Sequence, residues 1–191
     1  MVGFGGTGVM LLGIGGAALA CGLLALVLVR PIGWVSAIAI AGFLWSVAVI
    51  ALVTLVPTSP DTGIVPAETR MTSCSWDIGG PAPDGFWIFE SGQRTLNTAL
   101  FVPSGILLVL SVARWRAGWV LAPVGLVGLV GYSALIEATQ LELARIDRAC
   151  DVTDIVDNAT GAVFGAAVGV VLVLVLRPWR HRRRQRSVHL G

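Results

Sequence analysis

The residues of this sequence that could do chemistry lie between Ile136 and Gly169, where charge is set directly against a membrane-spanning run. Glu137 and Gln140 share a helical face, and Arg148, Asp151, Asp154, Asp157 and Asn158 follow before an apolar run begins. In helical projection Asp151, Asp154, Asn158, Gly161, Gly165 and Gly169 recur every three or four residues and form one stripe, with Asp157 at its edge. The stripe is polar at its start and glycine-lined beyond. A carboxylate carried into a bilayer costs roughly 2.5 to 3.5 kcal/mol at mid-helix on insertion scales, so these acids are expected to face protein or water. Such groups can serve as acid or base, hold an oxygen-seeking divalent cation, bind a hydroxyl or cationic ligand, or lock helices together. No His lies outside the C-terminal tail and no Ser, Cys and His set converges, so zinc and nucleophile-triad chemistry are not expected. No metal ligand set, cofactor or catalytic residue is assigned.

The elements that must position these residues follow from composition. The 191 residues are 55% hydrophobic and 13% charged, with a mean hydropathy of +0.85, which excludes an ordinary soluble domain. Five runs, at about 9–29, 33–56, 97–113, 117–137 and 154–176, approach or exceed the ~20 apolar residues a bilayer core needs. The expected fold is an all-α integral membrane bundle of about five transmembrane helices. It divides into a two-helix hairpin (1–56), a Pro/Gly-rich loop (57–94), a three-helix core (95–176) and a basic tail (177–191).

Topology is read from arginine, because all 13 basic residues are Arg. With five spans, Arg30, Arg114, Arg116 and the six arginines from Arg177 to Arg186 fall on one side with no acid. Arg70, Arg94, Arg145 and Arg148 fall on the other with all 11 acids. The positive-inside rule then places the N-terminus outside and the C-terminus in the cytoplasm, with the long loop and polar stripe facing outward.

The N-terminal GFGGTG has the letters of GxGxxG, but no strand precedes it and a membrane helix follows, so a dinucleotide site is not expected. The apolar run to Arg30 lacks the basic start of a signal peptide and is longer than one. Cys21 reads as a buried thiol of the first span. Arg30, Pro31 and Ile32 join the first two spans tightly, with Pro31 suited to a helix start and Trp34 to the interface. Phe86-Trp87-Ile88-Phe89 reads as a segment lying in the interface or covering the bundle, with lipid-substrate contact as the other reading. Pro103 frees a backbone carbonyl in the third span, which bends the helix or serves a ligand. Gly125, Gly128 and Gly131, like Gly161, Gly165 and Gly169, are expected to admit a neighbouring helix closely. The basic tail reads as a topology anchor that contacts anionic lipid, and nucleic acid is not an expected partner. Cys74 and Cys150 both fall on the outer, oxidising side, so a bridge between them is open to this chain and would fold the loop over the stripe.

Taken together, Asn97-x-x-Leu100-Phe101-x-Pro103-x-Gly105, Ile136-Glu137-x-x-Gln140 and Arg148-x-x-Asp151-x-x-Asp154-x-x-x-Asn158-x-x-Gly161 resemble the VanZ-like family of bacterial membrane proteins, over about residues 95–170. The long 57–94 loop with its cysteine and the charged stretch between Gln140 and Arg148 depart from the family pattern. The resemblance implies a multi-pass protein of the bacterial cell membrane, with Asn97, Glu137, Gln140, Arg148, Asp151, Asp154 and Asn158 as the functional set. The family is named for a protein associated with low-level resistance to the glycopeptide teicoplanin. Three readings stand at this point. One is a binding or transport module whose outward polar pocket engages an envelope lipid, a lipid-linked cell-wall precursor or a lipophilic glycopeptide, with Arg148 facing an anionic headgroup and the carboxylates facing cations or hydroxyls. Another is an intramembrane enzyme acting on a lipid-linked substrate with carboxylate or cation chemistry, through Glu137 or Asp154. The third is a purely structural protein whose stripe only packs.

Overall fold

The computed structural model describes residues 5–57, 59, 63–64, 66–76, 92–144 and 150–176. Five helices dominate it: α1 (Thr7–Ile32), α2 (Trp34–Leu55), α3 (Gly92–Val112), α4 (Gly118–Leu143) and α5 (Val152–Leu176). All five are long and apolar enough to cross a membrane. Among the described residues of the connection between α2 and α3 lies a 3-10 turn, Ala67–Thr69. The Phe86-Trp87-Ile88-Phe89 cluster, Arg145, Arg148 and the basic tail lie outside the described residues.

The first turn differs in position from the expectation. Helix α1 runs through Pro31 to Ile32, and the chain reverses at Gly33, whose φ of 80° is open to glycine at no steric cost. Pro31 therefore sits in the last turn of α1 rather than at the start of α2. The hairpin closes at its far end, where the Gly6 N–H donates to the Pro57 carbonyl at 2.9 Å, and is tied midway by Trp45 Nε1–H to the Ile14 carbonyl at 3.2 Å. Helix α1 buries no residue, whereas α2 sends Ile50, Phe43 and Val47 into the core with Phe101 and Leu108 of α3, Leu129 and Ile136 of α4 and Ala162 of α5. The two helices of the hairpin thus have different roles, and the packed unit is α2 to α5.

Helices α3 and α5 approach until their backbones touch. A Cβ on Gly161 would lie 2.0 Å from the Thr98 carbonyl oxygen, one on Gly165 2.1 Å from that of Val102, and one on Gly169 3.0 Å from that of Ile106. In each pair the residues are 63 positions apart, so the helices run parallel and in register. Gly105 repeats the contact from the other side, since a Cβ there would lie 2.1 Å from the Ala162 carbonyl oxygen.

The glycines of α4 behave differently. Gly125 packs against Leu108, but a Cβ on Gly128 or Gly131 would meet nothing within 4 Å. Steps of three residues turn about 300° on a helix, so 125, 128 and 131 fan away from one line, whereas steps of four stay closer to it. Gly165→Ala should therefore lose ~1 to 3 kcal/mol, because rigid backbone must move. Gly128→Ala should be neutral or slightly stabilising, because glycine is the poorer helix former. Unfolding of the purified protein in mixed micelles checks both.

Candidate polar site at one end of the bundle

The register of α3 and α5 dictates the first element of the site. One turn before Thr98 stands Arg94, and one turn before Gly161 stands Asp157, so the glycine seam brings them together. Arg94 donates from Nε to one Asp157 carboxylate oxygen at 2.9 Å and from Nη2 to the other at 3.1 Å. The fork is bidentate, and its side chains are only 11% and 1% exposed. Asp151 and Asp154 add their attraction to Arg94 through space. Asp157 is therefore central to the face that meets α3, not at its edge.

Several of the expected site residues complete the ends of helices, where four N–H or four C=O groups lack intrahelical partners. Glu137, buried in α4, accepts the Asp151 N–H at 3.0 Å where α5 begins. Asp151 accepts the Thr153 N–H through its side chain at 2.8 Å, as an N-cap does. Gln140, also buried, donates to the Thr54 carbonyl at 3.0 Å in the last turn of α2. Beyond the end of α4, Ala144 adopts φ 45°, and Arg70 reaches from the loop to the carbonyls of Leu141 and Glu142.

The loop is fixed to the same end. A disulfide joins Cys74 and Cys150, closing 76 residues of sequence separation. Beside it, the Ser75 N–H donates to the Cys150 carbonyl and the Val152 N–H to the Ser75 carbonyl, both at 3.0 Å, in a parallel bridge. Cys150 is 1% exposed. The segment around Ser75 is thus anchored to the chain just before α5.

Below these caps, three helices each contribute a polar side chain one turn from the apolar core: Asn97 before Phe101, Ser133 after Leu129 and Asn158 before Ala162. Asn158 Nδ2 donates to Ser133 Oγ at 2.8 Å, and both residues are buried. Asn158 Oδ1, Asn97 Nδ2 and the neighbouring Thr98 Oγ1 are buried atoms with no hydrogen-bond partner. Leaving such a group unsatisfied costs about 1 to 3 kcal/mol, so each of these atoms stands out against the satisfied caps around it. Among the described residues no group of three or more His, Cys, Asp or Glu is arranged to hold a metal.

The structure therefore brings Asn97, Glu137, Gln140, Asp151, Asp154 and Asn158 to one end of the bundle. Asp154 is half-buried there, one turn before Asn158, and Arg148 lies outside the described residues. Reasoning from the sequence put Arg94 and Asp157 in the outer polar layer but not in the functional set, and it passed over Thr98 and Ser133 as site residues. The signal for Asp157 was its four-residue spacing to Gly161, Gly165 and Gly169, which puts it on the seam itself. Arg94 carried no such signal, because the third span was expected to begin after it.

With fold and site in view, the class is a multi-pass helical membrane protein with a polar, disulfide-anchored end. The family profile described as VanZ/LLP1 matches residues 43–176, and the chain belongs to that family. The match begins within α2, so the family domain is the packed α2 to α5 unit with most of α2 and without α1. No curated protein and no solved structure matches the chain at a significant level.

The ion pair yields a clear expectation. Arg94→Ala strands a buried carboxylate and should cost ~3 to 5 kcal/mol, whereas Arg94→Met combined with Asp157→Leu should recover most of it. Unfolding free energies of the three proteins in one detergent check this; a double variant as weak as the single would contradict it.

Proposed function

We propose that this VanZ/LLP1 protein is a binding module of the bacterial cell membrane, with its N-terminus outside, its C-terminus in the cytoplasm and its polar end toward the cell envelope. The polar end engages the headgroup of an envelope amphiphile: an envelope lipid, a lipid-linked cell-wall precursor or a lipophilic glycopeptide. The observation that carries this reading is a group of buried polar atoms that make no hydrogen bond, among them Asn97 Nδ2, Thr98 Oγ1 and Asn158 Oδ1. A bundle whose polar layer served packing alone would satisfy those groups as it satisfies its helix ends. They offer both a donor and acceptors, which suits a headgroup rich in hydroxyl or amine groups.

Two independent features support the orientation. Arginine is concentrated on the opposite side of the membrane from the polar end. A disulfide sits at the polar end, and disulfides persist in oxidising compartments. The apolar surface of the bundle, which exposes residues such as Leu12, Val127 and Val175, lies in the acyl chains of the same molecules whose headgroups reach the site.

Native mass spectrometry of protein released from mild detergent tests the reading, with Asn158→Leu and Asn97→Leu as comparisons at matched folding. A lipid or lipid-linked species should co-purify with the wild type and be depleted in both variants. Identical, ligand-free spectra for all three would overturn the binding reading in favour of a structural one.

A further inference from the structure

We infer that the protein holds an anionic phospholipid at the end of the bundle opposite the polar site, with one acyl chain in a groove between α1 and α2 and the phosphate at Arg114. The inference does not depend on what the polar site binds.

The groove comes first. Between the Gly33 turn and the hydrogen bond from Trp45 to Ile14, α1 and α2 leave an open cavity of about 340 Å³, whose lining includes Cys21, Gly22 and Ala25 of α1 and Ile38, Gly42 and Trp45 of α2. Small residues make the space, and a Cβ on Gly22 would meet nothing within 4 Å. The indole N–H of Trp45 is committed to the Ile14 carbonyl, so the lining side chains present apolar surface and one thiol. Both helices are membrane spans, so acyl chains surround the groove. A helix segment about 10 Å across would occupy on the order of 800 Å³ over the roughly 10 Å of each helix that lines it, more than twice the cavity. The space suits a single alkyl chain rather than another helix.

Charge decides which lipid. Ile38, the lining residue nearest the turn, stands roughly 7 Å along α2 from Gly33, a gap that the glycerol and ester groups of a phospholipid can bridge. At that turn Arg114 donates to the Ile32 carbonyl. Gly42 lines the groove and packs against Leu107, so α3, which ends just before Arg114, borders the groove. Arg30 in the last turn of α1 and Arg116 in the connection to α4 are exposed at the same end. The partners shown for Arg114, a carbonyl and the Trp115 ring at 5.6 Å, are neutral, and the segments forming this end, 28–36, 108–122 and 170–176, contain no Asp or Glu. The six arginines from Arg177 to Arg186 follow α5 and lie outside the described residues. Trp34, Trp115 and Trp119 are exposed here too, as side chains at headgroup level are. Arginine grips phosphate through paired N–H donors, and basic pockets between membrane helices recognise anionic headgroups. A zwitterionic headgroup would bring its own cation into this acid-free cluster, and an anionic one would not.

Cys21 reports on the groove, because Cys74 and Cys150 are bridged and it is the one thiol left of three. The full chain in neutral detergent is titrated with phosphatidylglycerol or with phosphatidylcholine of the same acyl chains, following the rate of Cys21 alkylation by N-ethylmaleimide and the thermal stability. Phosphatidylglycerol should protect Cys21 and raise the melting temperature at about ten-fold lower mole fraction than phosphatidylcholine, the range expected for a hydrogen bond to a charged group. Arg114→Gln should lose that preference. Gly22→Leu fills the groove and leaves every arginine in place, and should lose the stabilisation by phosphatidylglycerol. Equal protection by the two lipids would overturn the inference by reducing the site to a groove for any chain. Stabilisation that survives Gly22→Leu would put the lipid on surface arginines alone, and a preference that survives Arg114→Gln would remove the phosphate from that residue; either contradicts the assignment. Alkylation of Cys21 at one rate with and without lipid would mean that no chain enters the groove, and would overturn it as well.

Discussion

The contact on which the rest of the structure depends is the backbone-to-backbone approach of α3 and α5. In lipid there is no hydrophobic force between helices, and close association comes from packing and from hydrogen bonds that small residues allow. Gly161 and Gly165 bring the carbonyls of Thr98 and Val102 to within about the length a methyl group would fill, and Gly105 does the same from α3. Every feature of the polar end is referred to that register. Arg94 and Asp157 meet because they stand one turn beyond the last glycine contact, and Asn97 and Asn158 each stand one turn before a core residue of these two helices.

The burial of charge at this end is consistent with its energetics. An unpaired Asp or Arg in the hydrocarbon costs roughly 2.5 to 3.5 kcal/mol on insertion scales, and a bidentate pair satisfies both charges at a single place. Around the pair, Glu137, Gln140 and Asp151 each complete a helix end that the bilayer could not hydrate. The disulfide and the Ser75 bridge then fix the aqueous segment above α5. Against this completeness, Asn97 Nδ2, Thr98 Oγ1 and Asn158 Oδ1 are conspicuous: side chains satisfy backbone groups at the helix ends, while these buried side-chain atoms make no hydrogen bond.

Much of this was legible in the sequence, and the limits of legibility have physical causes. Hydropathy gave five spans, because the bilayer sets their length, and all five are present as helices long enough to cross it. Cys74 and Cys150 could be paired by compartment before their geometry was known. The hairpin turn was placed at Pro31 because proline is the stronger local signal, yet the reversal needs a positive φ and falls on Gly33. Glu137 and Gln140 read as ligand residues because nothing in a sequence reveals which distant helix end a polar side chain will complete; one serves α5 and the other α2. The partner of Asp157 was hidden for the same reason. A pair 63 residues apart is set by inter-helix register, and only the four-residue spacing of Asp157 with the glycines hinted at it.

The most direct test of the account is a double-mutant cycle on Arg94 and Asp157, measured in the wild type and again in the presence of Gly161→Ala. If the glycine seam creates the ion pair, the coupling should be about 2 kcal/mol or more in the wild type and fall below ~0.5 kcal/mol once the helices are forced apart. A coupling that survives Gly161→Ala unchanged would mean that the pair does not depend on the α3 and α5 contact, and would contradict the account.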